Sequence, residues 1–255
     1  LDEMNLAHVE RYFADVISGM ESGEGCLPNL REEDGVWREA PEGPDKLPFP
    51  KNLFIAGTVN VDETTYMFSP KVLDRANTME FRVRTEDLDA DLRKPGECDP
   101  GDPALTRGFL EIARDEDYHR EHALERQDEY FGALEDLHRS LDQAFSFGHR
   151  VVYEAIRFAA LHEEAGGDSM EEALDTQVLQ KILPRLHGSR RQLEPVLETV
   201  GKFCWDLEPA ESGNPGGSFD PVDPPEGDPL LPRSFDKVQR MTERLRTNQF
   251  VSFTE

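Results

Sequence analysis

The chain has 255 residues, 37% hydrophobic and 32% charged, with 53 acids against 28 bases and a formal charge of −25. That length holds one large domain or two small ones. No apolar run approaches the ~18 residues of a membrane span, and the acidity excludes a surface that grips nucleic acid as a whole, because phosphates repel it.

In chain order, Val9, Phe13, Val16, Ile17 and Met20 recur at helical spacing, which predicts an amphipathic helix within residues 1–22, ended by Gly23 and Gly25. Residues 23–51 are rich in Gly, Pro and acids, and Gly35 beside Trp37 suggests a hairpin or a long ordered loop. Leu53-Phe54-Ile55-Ala56-Gly57-Thr58-Val59 is a nearly unbroken apolar run, the pattern of a buried strand in a parallel sheet. Ser69-Pro70 suits the start of a short helix, with Val72, Leu73 and Ala76 facing inward. Met79, Phe81 and Val83 alternate with polar residues, as in a second strand. An acidic linker and helical insertion are expected over 85–145. The helical pattern of 104–165 is best at Val151, Val152, Ala155, Ile156 and Phe158, and Met170–Leu183 and Arg190–Phe203 predict two more helices. Residues 207–232 hold seven Pro and four Gly, which predicts a disordered or extended segment without a core. A last helix is expected from about Phe235 to Leu245.

Four places carry candidate chemistry. Asp2-Glu3 is an acidic pair behind an apolar residue. At a strand end, such a pair can hold Mg²⁺ with its first acid and orient a water with its second; Asp-Glu is also favoured at any helix N-terminus. Asn60 follows the apolar run, where an amide can bond both a water and a phosphate oxygen, or simply sit in a turn. Arg75 could be presented to a neighbouring subunit's nucleotide, or pair with Asp74 or Glu80. Arg190 and Arg191 open a helix after Gly188-Ser189, an unfavourable place for a cation unless an anion is bound there; a solvated surface Arg is the other reading.

These pieces share a known order. Asp2-Glu3-Met4-Asn5-Leu6-Ala7 resembles the Walker B end of an AAA+ ATPase. Gly57-Thr58-Val59-Asn60-Val61-Asp62-Glu63-Thr64-Thr65 and Ser69-Pro70-Lys71-Val72-Leu73-Asp74-Arg75-Ala76-Asn77 resemble the sensor 1 and arginine-finger regions of the McrB-like, dynein-related branch. Residues 147–205 resemble its helical lid with sensor 2. The resemblance implies that Asp2 supports Mg²⁺, Glu3 acts on the attacking water, Asn60 positions it, Arg75 acts in trans, and Arg190, with Arg191 second, is sensor 2. It also implies that the 23–51 stretch is a hairpin facing a pore. Two departures stand out. No Gly-x-x-x-x-Gly-Lys-Ser/Thr occurs, so the backbone nest and Lys that hold phosphates are not in these residues. Thr64 stands where GTP-using relatives carry Arg, which favours ATP over GTP.

The expected architecture is therefore α/β: residues 1–84 as the second half of a P-loop AAA+ core of parallel strands with helices, a linker and insertion (85–145), an all-α lid (146–206), a disordered stretch (207–232) and a terminal helix (233–255). The chain opens on Leu1 inside a motif, so a C-terminal fragment is expected, inactive alone. No basic-then-apolar leader is read. Cys26, Cys98 and Cys204 are too dispersed for a disulfide framework or zinc site, so a reducing, cytoplasmic setting is expected. The parent would be a hexameric ring hydrolysing ATP (or GTP) with Mg²⁺. By family analogy it would drive DNA translocation for a nuclease subunit, with no membrane partner. A catalytically inactive acidic adaptor or ring subunit is the alternative. A diiron bundle built on Glu116-x-x-His119 and Glu135-x-x-His138 is disfavoured by their close spacing.

Overall fold

Apolar residues three and four apart build most of this structure, and paired strands are few. The computed structural model describes residues 1–22, 30–39, 53–60, 67–82, 100–113, 115, 118, 124–141, 145–167, 169–208 and 219–254. By contacts the chain divides into one unit of Leu1–Arg75 with Thr254–Glu255, and another of Ala76–Phe253.

In the first unit, a 3-10 turn (Met4–Leu6) precedes α1 (Val9–Tyr12) and α2 (Ala14–Ser22). The single expected helix is broken at Phe13, whose φ of −115° and ψ of 15° leave the helical region. Strands β1 (Leu30–Glu33) and β2 (Val36–Glu39) form an antiparallel hairpin in which Glu33 faces Val36. Its turn residues, Asp34 and Gly35, have φ of 55° and 75°. Two successive left-handed residues make the type I′ turn whose twist matches a two-residue hairpin. Residues 53–60 follow as extended chain, and α3 (Pro70–Leu73) begins behind Ser69 with Val72 buried.

The expected α/β core of parallel strands is corrected here. Among the described residues the ladders are two antiparallel pairs, β1 with β2 and β3 with β4. Leu53, Phe54 and Ile55, read as a buried strand, are 42%, 52% and 39% exposed. A parallel strand is buried only when neighbours supply its ladder and helices cover both faces. Within this run, Ala56 and Thr58 exchange backbone bonds with Leu1 and Met4, and no strand ladder forms among the described residues. The second expected strand fails similarly. Its alternation is real, with Met79 and Phe81 66% and 91% exposed, but Glu80 between them bonds side chains of a helix rather than a strand. Val83 lies outside the described residues.

The second unit contains α4 (Pro103–Ala113), α5 (Gln127–Ser140), α6 (His149–Glu164) and α7 (Met170–Gln177), the last running into a π turn (Val178–Ile182) and a 3-10 turn. Then come β3 (His187–Ser189), α8 (Arg190–Asp206), α9 (Pro232–Asn248) and β4 (Phe250–Ser252). Each long helix sends one stripe inward: Tyr130, Leu134 and Leu137; Val151, Ala155 and Ala159; Leu193, Leu197, Val200 and Phe203; Val238, Met241 and Leu245. Spacings of three and four place these on one face. α9 is capped from a distance. Pro232 at its start has no N–H to satisfy, and the next two amides, Arg233 and Ser234, donate to the buried Asp175 carboxylate at 3.0 and 2.7 Å.

The Pro/Gly stretch is also corrected. Residues 209–218 lie outside the described ones, but within 219–231 Pro221 and Leu231 are buried. Phe219 sits 5.9 Å from the Trp205 ring and 6.1 Å from Phe235, and Leu231 is fully buried. Gly201 makes room for this, since a Cβ there would lie 2.7 Å from Pro221 Cγ. No helix of the described residues is long and apolar enough to cross a membrane.

Candidate functional site

In the first unit, backbone bonds hold residues 1–4 against 56–58. Leu1 N donates to Ala56 O at 2.8 Å, Thr58 N to Leu1 O at 2.8 Å, and Met4 N to Thr58 O at 2.9 Å. The Met4 side chain packs over Gly57, its Sδ 2.1 Å from where a Cβ would stand. Glu3 takes a left-handed conformation, φ 46° and ψ 47°, which costs about 1–2 kcal/mol for a residue with a Cβ. Its amide is held in that pose by Thr58 Oγ1 at 2.8 Å.

The side chains follow from that frame. Thr58 Oγ1 donates to Asp2 Oδ1, and Asn60 Nδ2 donates to Glu3 Oε1, both at 2.5 Å. Asn5 Nδ2 donates to the Asn60 main-chain oxygen at 2.9 Å, and Tyr12 Oη to Met4 O at 3.0 Å. Three sequence-expected residues, Asp2, Glu3 and Asn60, are thus brought together. Thr58 and Asn5 complete the group and were missed as site residues. Both sat inside the motifs, but only the fold shows that one binds a carboxylate and the other a carbonyl.

Asp2 is exposed and has one oxygen on a hydroxyl. Mg²⁺ is usually held by one or two carboxylates, with waters and phosphates completing six oxygens. Asp2 fits that limited role. Among the described residues, no group of three or more His, Cys, Asp or Glu could hold a metal by itself.

The arginines sit elsewhere. Arg75 follows α3 and donates to the Lys71 carbonyl at 2.5 Å. In the second unit, Glu80 accepts from Lys237 at 2.8 Å and Arg240 at 3.0 Å. Burial raises the Glu80 pKa, but the bonds from Arg240 and Lys237 outweigh it and hold the carboxyl at about 2. Arg190 opens α8 in the second unit and donates to Glu194 at 2.8 Å; Arg246 reaches the same carboxylate at 3.0 Å. The Arg190 bond, opposed by burial and aided by Arg246, keeps Glu194 below the ordinary carboxylate range. The anion that Arg190 meets is therefore a side chain four residues on. Arg191 is exposed. His187-Gly188-Ser189, just ahead of α8, forms β3 opposite β4. Of the diiron candidates, Glu135 pairs with Arg139 at 2.8 Å, His138 packs on Phe147, and Glu116 and His119 lie outside the described residues, as do Glu63 and Thr64.

Residues 105–250 match a family described as a domain of unknown function, DUF8727. The chain belongs to that family. The DUF8727 match begins within α4 and ends at the start of β4, so Asp2, Glu3, Asn60 and Arg75 precede it, whereas Arg190 and Arg191 lie inside it. No curated protein and no solved structure matches the chain.

Proposed function

We propose that this chain carries the water-activating part of a Mg²⁺-dependent nucleoside-triphosphate hydrolase of AAA+ type, with ATP as substrate and GTP as the alternative. The supporting observation is the bond from Asn60 Nδ2 to Glu3 Oε1 at 2.5 Å, beside Asp2 held by Thr58. The chemistry of these groups does not require the α/β core of parallel strands, in whose place the described residues form two antiparallel pairs. Asp2 would hold Mg²⁺, which when bound neutralises charge on the phosphates. A carboxylate has about four lone-pair sites. Glu3, steadied by the Asn60 amide, would orient a water and take its proton. The water oxygen bonds to the γ-phosphorus while the bridging oxygen leaves with the nucleoside diphosphate. Arg75 would serve the site of an adjacent subunit in a hexameric ring. In the wider reading this ring sits in the cytoplasm and moves DNA for a nuclease subunit.

The test is Mg²⁺-dependent ATP and GTP hydrolysis by the intact protein. Glu3→Gln should keep nucleotide binding and lower turnover ~100-fold or more, in the range for losing one positioned catalytic group. Arg75→Ala should lose turnover and regain it when mixed with Glu3→Gln subunits. Equal loss of binding and turnover in Glu3→Gln would sink the reading. A second reading, an inactive acidic adaptor or ring subunit, draws on the engagement of Arg190 by Glu194. It takes over if an assembled ring binds nucleotide without turnover.

A further inference from the structure

We infer that Asn5 is the positioning residue for Asn60, setting the amide that steadies Glu3; the catalytic part of this inference rests on the proposed hydrolase reading. Asn60 is held at two points by one short stretch. Its side-chain nitrogen bonds Glu3 Oε1 at 2.5 Å, and its main-chain oxygen accepts from Asn5 Nδ2 at 2.9 Å. Glu3 and Asn5 flank Met4, whose own amide is bonded to Thr58 O at 2.9 Å and whose carbonyl accepts from Tyr12 at 3.0 Å. The turn that carries the acid therefore also carries the group that fixes the amide's backbone.

Asn5 is only 6% exposed, and its Oδ1 is buried with no hydrogen-bond partner among the described residues. That orientation is forced: the Asn60 carbonyl needs a donor, and turning the amide round would set oxygen against oxygen. A buried orphan acceptor costs about 1–3 kcal/mol, more than the roughly 1 kcal/mol net gain of the bond to the Asn60 carbonyl, and a leucine of similar branched shape would avoid it at the loss of that bond. Stability alone does not account for an asparagine here, whereas aiming Asn60 does. A pinned carbonyl restricts the backbone torsions from which the Asn60 side chain departs, and misplacement by about 1 Å at a reacting centre can cost ~100-fold.

Two arms test this. In the first, the intact chain is labelled with ¹⁵N-asparagine, and the Asn60 side-chain amide signal is assigned by its loss in Asn60→Ala. Asn5→Asp keeps the shape and removes the donor, so the Asn60 signal should move to the position of a solvent-exposed amide while the thermal midpoint marks the chain as folded. Asn5→Leu is the second variant should the buried charge unfold the protein. An unmoved Asn60 signal in a folded variant overturns the inference, and needs no nucleotide to do so. In the second arm, the assembled protein is assayed for turnover. Asn5→Leu should lower kcat 10- to 100-fold with KM for MgATP nearly unchanged, and should add nothing on an Asn60→Ala background, because a residue acting only through Asn60 has no effect once it is gone. Losses that multiply in the double variant overturn the inference. If Glu3→Gln leaves turnover intact, the hydrolase reading has failed instead, and the first arm still decides what Asn5 does.

Discussion

The buried charges of the second unit and the acidic pair of the first are used in opposite ways. In the second, Lys181 and Lys237, each 1% exposed, are matched to Glu154 and Glu80, and Asp175 is occupied by the first amides of α9. Buried charge must be paired and hydrogen-bonded to persist, so these groups hold helices together. In the first unit, Asp2 is exposed and Glu3 half-buried; they bond a hydroxyl and an amide rather than a cation, in a stretch that accepts a left-handed Glu3. Carboxylates held this way contribute little to stability and keep capacity for a ligand. Open polar capacity on Asp2 and Glu3 marks the candidate site; buried lysines paired with carboxylates mark the scaffold.

Substitutions can break this contrast, the largest effect coming from the packed helices. Leu197 is fully buried in α8, so Leu197→Ala should cost about 2–5 kcal/mol in urea unfolding. A loss under ~1 kcal/mol would mean that the second unit lacks a tightly packed core. Gly201→Ala comes next. Its Cβ would press on Pro221 at 2.7 Å and Phe219 at 3.3 Å, and overpacking of this kind costs about 1–3 kcal/mol. A neutral result would mean that residues 219–221 do not lie on α8.

Glu80→Gln probes the paired charges through pH. The native Glu80 pKa is about 2, below an ordinary value near 4.5. A depressed carboxylate contributes stability that is fully present above the unfolded pKa and lost as pH falls through the folded one. The variant should therefore be less stable than the parent at pH 7, with the gap closing between about pH 4.5 and pH 2. Thermal midpoints that stay parallel from pH 7 to pH 3 would refute the Lys237–Glu80–Arg240 pairing. The smallest effect belongs to the first unit. Glu3→Gln should shift the unfolding free energy by no more than ~0.5 kcal/mol, as for surface positions. A loss of several kcal/mol would put Glu3 among the structural charges.

The sequence by itself determined the helical stripes, because burial of one face imposes spacings of three and four that are visible in any window. It also brought Asp2, Glu3 and Asn60 to notice as residue types suited to phosphate chemistry. Other features were decided only by tertiary structure. Whether the run Leu53–Val59 becomes a buried parallel strand depends on neighbouring strands and covering helices, which local pattern does not encode. The Pro/Gly stretch read as coreless, yet Phe219 and Leu231 found partners on α8 and α9. Asp175 caps a helix that starts 57 residues later, and Asn5 reaches the carbonyl of Asn60. Each is a contact between residues distant in the chain, where the hydrogen-bonding need of one group is met only after folding has brought the other to it.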